Sequence, residues 1–236
     1  ASQKVTVDTV APDAVVTVDS ITVDTGVSDS DFLTSEKSYT LHGSLDKALA
    51  LDEFVQVSLD GGKTWVDAVI NGKSWSFTNS GPQTDGVHNY QVRVVDLAGN
   101  AGPSVSQSVT VDSTAPEYGI KITGISDDTG TSGSDYITKD NTLTINGTLN
   151  HVLAKDEHAQ ISMDGGKTWV EITVNDKVWS FEDSRTLADG DYTYMVRVID
   201  DAGNTSATSH QVVTVDTTPP DTLGSILGYS DDQGER

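Results

Sequence analysis

Phe54-Val55-Gln56-Val57-Ser58-Leu59-Asp60-Gly61-Gly62-Lys63-Thr64-Trp65 reads as a strand, a turn and the opening of a second strand. Its apolar side chains alternate, and on a pleated strand alternate residues share one face. Asp60-Gly61-Gly62-Lys63 has the chemistry of a tight hairpin turn, because glycine adopts positive φ at little steric cost. Tyr90-Gln91-Val92-Arg93-Val94-Val95 repeats the alternation, and Asn71-Gly72 is a second turn signal. No segment carries sustained helical periodicity. Strands are predicted near 14–23, 38–44, 54–59, 64–70, 74–78, 88–96 and 105–111. Seven short strands at this spacing imply an all-β, antiparallel, immunoglobulin-like or fibronectin-like sandwich. With no cysteine, the Cys…Trp…Cys signature of antibody domains is absent.

The same stretch then returns. Ser58–Trp65 matches Ser162-Met163-Asp164-Gly165-Gly166-Lys167-Thr168-Trp169, a step of 104 residues. Thr6-Val7-Asp8 recurs as Thr110-Val111-Asp112 and as Thr214-Val215-Asp216 at that step. Val92-Arg93-Val94-Val95-Asp96-Leu97-Ala98-Gly99-Asn100 returns as Val196-Arg197-Val198-Ile199-Asp200-Asp201-Ala202-Gly203-Asn204. A unit this long is a whole domain rather than a solenoid rung. The expected organisation is tandem seven-stranded sandwiches stacked head to tail. Residues 1–8 read as the end of a preceding repeat, 9–112 as repeat one and 113–216 as repeat two; 217–236 reads as the truncated start of a third repeat, or a tail. Each unit is large enough to bury its own core without disulfide staples.

Thirty-six acidic residues face fourteen basic ones, a formal net charge of −22. That argues against nucleic acid as a partner and favours a soluble monomer. No run is long and apolar enough to span a membrane. Nothing at Ala1 resembles a signal peptide, so any export signal is expected outside this stretch.

Many aspartates sit in loops rich in Gly, Ser and Thr. In an antiparallel sandwich successive connections alternate between two poles. The loop 24–36 and Asp85-Gly86 then lie at the pole where the last strand exits. The loop 45–53 and Asp96–Asn100 lie at the entry pole. Stacking places one domain's exit pole on the next domain's entry pole. Asp24, Asp29, Asp31 and Asp85 thereby approach Asp112 in the linker and Asp156, Glu157, Asp200, Asp201 and Asn204 beyond it. Calcium takes six to eight oxygen ligands and suits such loops. A site used by every domain must recur at the 104-residue step. Asp8/Asp112/Asp216, Asp24/Asp128, Asp31/Asp135, Asp85/Asp189 and Asp96/Asp200 all do, and form the candidate Ca2+ set. Asp29 does not, since Gly133 stands opposite. The competing role is capping of backbone N–H groups, the simpler one for Asp85-Gly86. No EF-hand spacing is present.

Catalytic signatures are missing. His42, His88, His151, His158 and His210 align with Asn146, Tyr192, Lys47, Phe54 and Ser106, so no repeated site uses them. There is no Gly-x-Ser-x-Gly elbow and no phosphate-cradling loop. An enzyme is not expected.

The Asp-Thr/Ser-x-Ala-Pro linkers, the loop 127–138, Leu187-Ala188-Asp189-Gly190-Asp191-Tyr192 and 198–204 resemble the bacterial Ig-like repeats of giant adhesins. Those are type I-secreted (RTX-type) surface proteins, including biofilm-associated members. The resemblance implies an extracellular stalk at the bacterial cell surface, with calcium at the domain junctions. It carries over to Asp24, Asp31, Asp112, Asp128, Asp135, Asp200 and Asp216 as ligands. Neighbouring repeats of the same chain would be the direct partners, and other domains would contact a host cell or an abiotic surface. The alternative is a binding module that grips a glycan or host protein through exposed aromatics. Buried Trp65, Trp75, Trp169 and Trp179 would favour the stalk, and an exposed aromatic strip the module. An accessory domain of a secreted hydrolase is a third possibility.

Overall fold

The structure, a computed structural model, describes residue 3, residues 5–79 and residues 81–221. The expectation for 217–236 lies mostly outside the described residues. In the first repeat the strands are β1 (Val16–Ile21), β2 (Leu33–Thr34), β3 (Thr40–Leu45), β4 (Glu53–Ser58), β5 (Val66–Asp67), β6 (Val69–Asn71), β7 (Ser74–Thr78), β8 (Gly86–Asp96) and β9 (Val105–Val111). They form two facing sheets, β1-β3-β7-β6 and β2-β9-β8-β4-β5. Only β2 and β9 are parallel; the other pairings are antiparallel. The second repeat has the same order in β10 (Ile120–Ile125), β11 (Ile137–Thr138), β12 (Thr144–Leu149), β13 (Glu157–Ser162), β14 (Val170–Ile172), β15 (Val174–Asn175), β16 (Val178–Glu182), β17 (Gly190–Asp200) and β18 (Ser209–Val215). This is the immunoglobulin-like sandwich twice in tandem. Among the described residues no helix is long and apolar enough to cross a membrane.

Strand alternation builds each core. Val55, Val57, Val92 and Val94 are buried, while Gln56 and Arg93 between them are half-exposed. Burying each such valine contributes roughly 1.5–3 kcal/mol. The two cores are separate clusters, one around Trp75, Tyr90 and Leu41, the other around Trp179, Tyr194 and Ile145. The indoles need room that the neighbouring strand provides through glycine. A methyl on Gly43 would overlap the Trp75 ring and the Thr17 carbonyl, and Gly147 stands in the same relation to Trp179. The Trp75 Nε1–H donates to that Thr17 carbonyl at 3.0 Å.

Three sequence expectations need correction. The predicted strand 64–70 is two strands in opposite sheets: Val66 pairs with Val57 of β4, and Ile70 with Trp75 of β7. Between them the Ala68 N–H donates to the Val55 carbonyl. Strand β2 was not predicted at all. At two residues it has no periodicity, and its pairing with β9 defines it. Asp60–Lys63 is not a two-residue turn, because the ladder closes at Val57 and Val66. The wider loop is folded around Asp60, which accepts from the Lys63 and Thr64 N–H groups and the Thr64 hydroxyl. Those bonds, led by the Thr64 hydroxyl, push the Asp60 carboxyl far below its usual pKa.

The repeats differ at one buried polar position. In the first, Tyr39 and Tyr90 share a hydroxyl–hydroxyl bond of 2.8 Å. In the second, Leu143 replaces Tyr39, and the Tyr194 hydroxyl donates to Asp183 at 2.7 Å. Arg185 also donates to both Asp183 oxygens. Burial raises the Asp183 pKa, but the bonds from Arg185 and Tyr194 outweigh it, and the net shift is downward. A depressed folded pKa stabilises above the unfolded value of about 3.9 and is lost as pH falls through the folded one. Asp183→Ala should therefore destabilise the second repeat by roughly 1–3 kcal/mol at neutral pH. That deficit should shrink in acid, while the first repeat, with Asn79 at this position, stays unchanged. Domain-resolved urea unfolding followed by amide NMR across pH tests this.

Candidate functional site

The exit pole of each repeat is a loop held in strained backbone. Val23 and Phe32 have φ of 62° each, and their counterparts Asp127 and Tyr136 have 43° and 63°. Left-handed geometry is costly for branched or bulky residues, so the surroundings must enforce it. The buried Thr34 hydroxyl donates to the Val23 carbonyl at 2.7 Å, and Thr138 to the Asp127 carbonyl at 2.6 Å. Asp24 Oδ2 accepts from the Phe32 N–H and Asp31 Oδ1 from the Leu33 N–H, at 3.1 and 3.0 Å. Asp128 and Asp135 do the same for Tyr136 and Ile137, each at 3.1 Å.

This leaves one oxygen unmatched in each loop. Asp24 Oδ1 and Asp128 Oδ1 are buried and have no hydrogen-bond partner. Burial raises the Asp24 pKa, and the negative charges of Asp31 and Asp29 raise it further against the Phe32 N–H bond. An ionised oxygen removed from water without a partner is costly, and such atoms are rare in folded proteins.

The entry pole is built on the turn Asp-x-Ala-Gly-Asn. Asp200 is 4% exposed and receives the Asn204 N–H on Oδ1 and the Asn204 side-chain amide on Oδ2. Gly203 supplies the φ of +95° that closes the turn. So oriented, the Asn204 amide donates to the Asp112 carbonyl in the linker at 2.8 Å. In the first repeat Asp96 holds Asn100, which reaches the Asp8 carbonyl at 3.2 Å. From the exit side Asp85 accepts from the Ser113 N–H, the Ser113 hydroxyl and the Thr114 hydroxyl. Those bonds, the Ser113 hydroxyl foremost, lower the Asp85 pKa. Asp189 holds Thr217 and Thr218 in the same way.

The two poles meet directly. The Thr25 hydroxyl donates to the Ala202 carbonyl at 2.5 Å, and the Val27 N–H to the Asp201 carbonyl at 3.2 Å. Between them lies Gly26, with φ of +96°, where any Cβ would overlap the Asp201 carbonyl.

The family model described as "Bacterial Ig-like domain" matches residues 10–113 and again 115–217. The chain belongs to the bacterial Ig-like domain family. No curated protein matches it. Among solved structures it is similar to the fibronectin(III)-like modules of Clostridium thermocellum CbhA, at 14% identity over 83% of this chain and 93% of that one, TM-score 0.46. A biofilm associated protein BSP domain aligns at 18% identity over 79% of this chain and 29% of that one, TM-score 0.25. The titin domains z1z2, in complex with telethonin, align at 11% identity over 85% and 98%, TM-score 0.29.

In these two Ig-like domains the eleven candidate aspartates do several jobs. Asp85 and Asp189 fasten the linkers, and Asp96 and Asp200 orient asparagines. Asp8, Asp112 and Asp216 cap their own turns, accepting from the N–H of Val10, Thr114 and Thr218. Asp31 and Asp135 cap the strained loops, and Asp24 and Asp128 keep an oxygen free. Among the described residues, no three His, Asp or Glu side chains form a cluster that could hold a metal ion by themselves. Any cation in the loop would draw the rest of its ligands from carbonyls and water, as calcium does. The junction contacts Thr25, Gly26 and Gly203 escaped the sequence reading, although Thr129, Gly130 and Gly99 repeat them at the 104-residue step. A filter for glycines as well as acids would have found them.

Trp75 and Trp179 are 2% and 4% exposed. Trp65 and Trp169 are half-buried, with Arg93 and Arg197 over their rings at 3.8 and 4.0 Å. The tryptophans form no exposed strip. His158 bonds Asp201 at 2.9 Å, and His151 packs edge-on against Tyr118.

Gly26→Val should open the junction while both cores stay folded. Small-angle scattering should show a broader range of end-to-end dimensions, and the Val27 amide should lose its exchange protection.

Proposed function

We propose that this chain is a spacer segment of a bacterial cell-surface adhesin, with Ca2+ bound in the exit loops at the domain junctions. The observation that carries the reading is the buried, unpartnered carboxylate oxygen of Asp24, repeated at Asp128. Chemically the loop fits calcium. Asp24 and Asp31 supply hard oxygen donors, and their mutual repulsion is what a divalent ion relieves. A bound ion would supply the positive charge that Asp24 Oδ1 lacks. It would sit beside the Thr25–Val27 contact and so stiffen the seam between domains.

Three further features support the stalk. The net charge of −22 makes neighbouring domains repel over a Debye length of about 8 Å at physiological salt. The linker is clamped from both sides, by Asp85 and by Asn204. Its tryptophans are buried or capped by arginine, which disfavours a glycan-binding aromatic face. Adhesive contact with a host cell or an abiotic surface then falls to other domains. The spacer is extracellular and non-catalytic.

Calcium titration followed by thermal unfolding tests the reading. Binding only to the folded state stabilises by about 2.7 kcal/mol at a hundred times Kd. The parent chain should gain stability with calcium and lose it with chelator. Asp24→Asn combined with Asp128→Asn should abolish the gain. In chelator that variant should be no less stable than the parent, because amides remove the uncompensated buried charges. A parent indifferent to calcium, or a double variant that still responds fully, would sink the proposal.

A further inference from the structure

Strand β8 is longer than one of its neighbours. On one edge it pairs with β9 from Gly86 to Val92, and on the other with β4 only from Gln91 to Asp96. Residues 86–90 therefore have a strand on one side alone. In an antiparallel strand the N–H and C=O groups of successive residues point to opposite edges. The Gly102 N–H donates to the Val94 carbonyl and the Asp96 N–H to the Asn100 carbonyl, so the even-numbered residues of β8 turn toward the β9 side. Thr110, opposite Val87, gives its N–H to the Phe32 carbonyl instead. Val87 and Asn89 thus turn toward the line of β4, which has already ended at Ser58. Among the described residues their four backbone groups have no hydrogen-bond partner. Beside them is a cavity of about 400 Å³, lined by Leu59, Gly61, Gln83 and residues 87–90. All of these belong to the first repeat, and the cavity is open with the second repeat in place.

We propose that this edge is a docking groove for an extended, basic peptide segment of another protein, which adds a strand to the sheet in line with β4. Two donors and two acceptors, on residues two apart, are what an extended backbone pairs with. The exposed side chains of Leu59 and Val87 give alternate side chains of that strand an apolar surface to pack on. Charge sets the rest. A chain of net charge −22, with the carboxylate of Asp60 between Leu59 and Gly61, steers Lys- and Arg-bearing segments toward the groove and acidic ones away. The second repeat shows what closing the edge takes. Asp191 stands there in place of Val87, and a charge on a free edge blunts it against further pairing. Leu187 stands in place of Gln83 and is buried in the core. The edge that the second repeat protects is left apolar in the first, on the flank of the sandwich and apart from the junction.

The test titrates the full chain with a synthetic peptide of alternating Val and Lys and follows amide exchange by NMR. Main-chain pairing tolerates many sequences, so a generic basic strand is a fair probe. Binding should saturate, and the Val87 and Asn89 amides should gain protection. The His88 and Tyr90 amides, already turned to β9, should not change. The same peptide methylated at every second backbone nitrogen should not bind, and a Val-Glu peptide should bind more weakly than Val-Lys. Asn89→Pro removes one N–H that faces the groove and none that faces β9, a place where an edge strand tolerates proline. It should weaken binding roughly three- to tenfold, the worth of one hydrogen bond. Val87→Asp copies a residue that the second repeat already folds with, and should weaken binding as well. A parent that does not bind the Val-Lys peptide, protection at a different edge, or parent-like affinity in both variants would overturn the groove. So would Val87 and Asn89 protection that rises with protein concentration in the absence of peptide, which would make the occupant a second copy of this chain.

Discussion

One asparagine amide, aimed by one buried aspartate, ties each domain to the segment that precedes it. Asp200 holds the Asn204 side chain, which reaches out to the Asp112 carbonyl. Asp96 and Asn100 do the same for Asp8. Because the acceptor is main chain, its identity does not matter; its position does. That position is set by the repeat length and by the pairing of the preceding strand with β2 or its equivalent. The exit loop, the linker and the entry turn are therefore solved together, and each sandwich carries one contact surface at either pole.

The electrostatics divide in the same way. Most of the repeated aspartates are matched to donors; Asp60, Asp85 and Asp189 are lowered chiefly by side-chain hydroxyl bonds, and Asp96 by the Asn100 side-chain amide. Asp24 is the opposite case, a carboxylate pressed against its own kind and partly hidden from water. An excess of negative charge is thus tolerated almost everywhere by local hydrogen bonding, and is left unresolved at one point per domain.

The sandwich itself was readable, because alternation in Phe54–Leu59 and Tyr90–Val95 is a direct image of a one-sided strand. The repeat step made the two domains readable as well. What escaped was anything defined by partners rather than by pattern. Leu33 and Thr34 are a strand only because Thr110 and Val111 lie beside them. The switch of sheets at Ala68 depends on the Val55 carbonyl, which no local periodicity encodes. At the junction the acids were conspicuous and the glycines were not. A turn aspartate that only caps a backbone and one that also buries an unpartnered oxygen look alike in sequence, and burial alone tells Asp24 from Asp31.

The parallel pairing of β2 with β9 has a mechanical meaning. Tension on a chain of such domains enters through β1 at one pole and leaves through β9 at the other. It drags β2 and β9 in opposite directions along their common axis. The Thr110 N–H to Phe32 carbonyl and Asp112 N–H to Thr34 carbonyl bonds then bear the load side by side instead of opening one after another like a zipper. Pulled at its ends, a domain built this way would resist by shear, and the segment that resists is the one that ends in the junction.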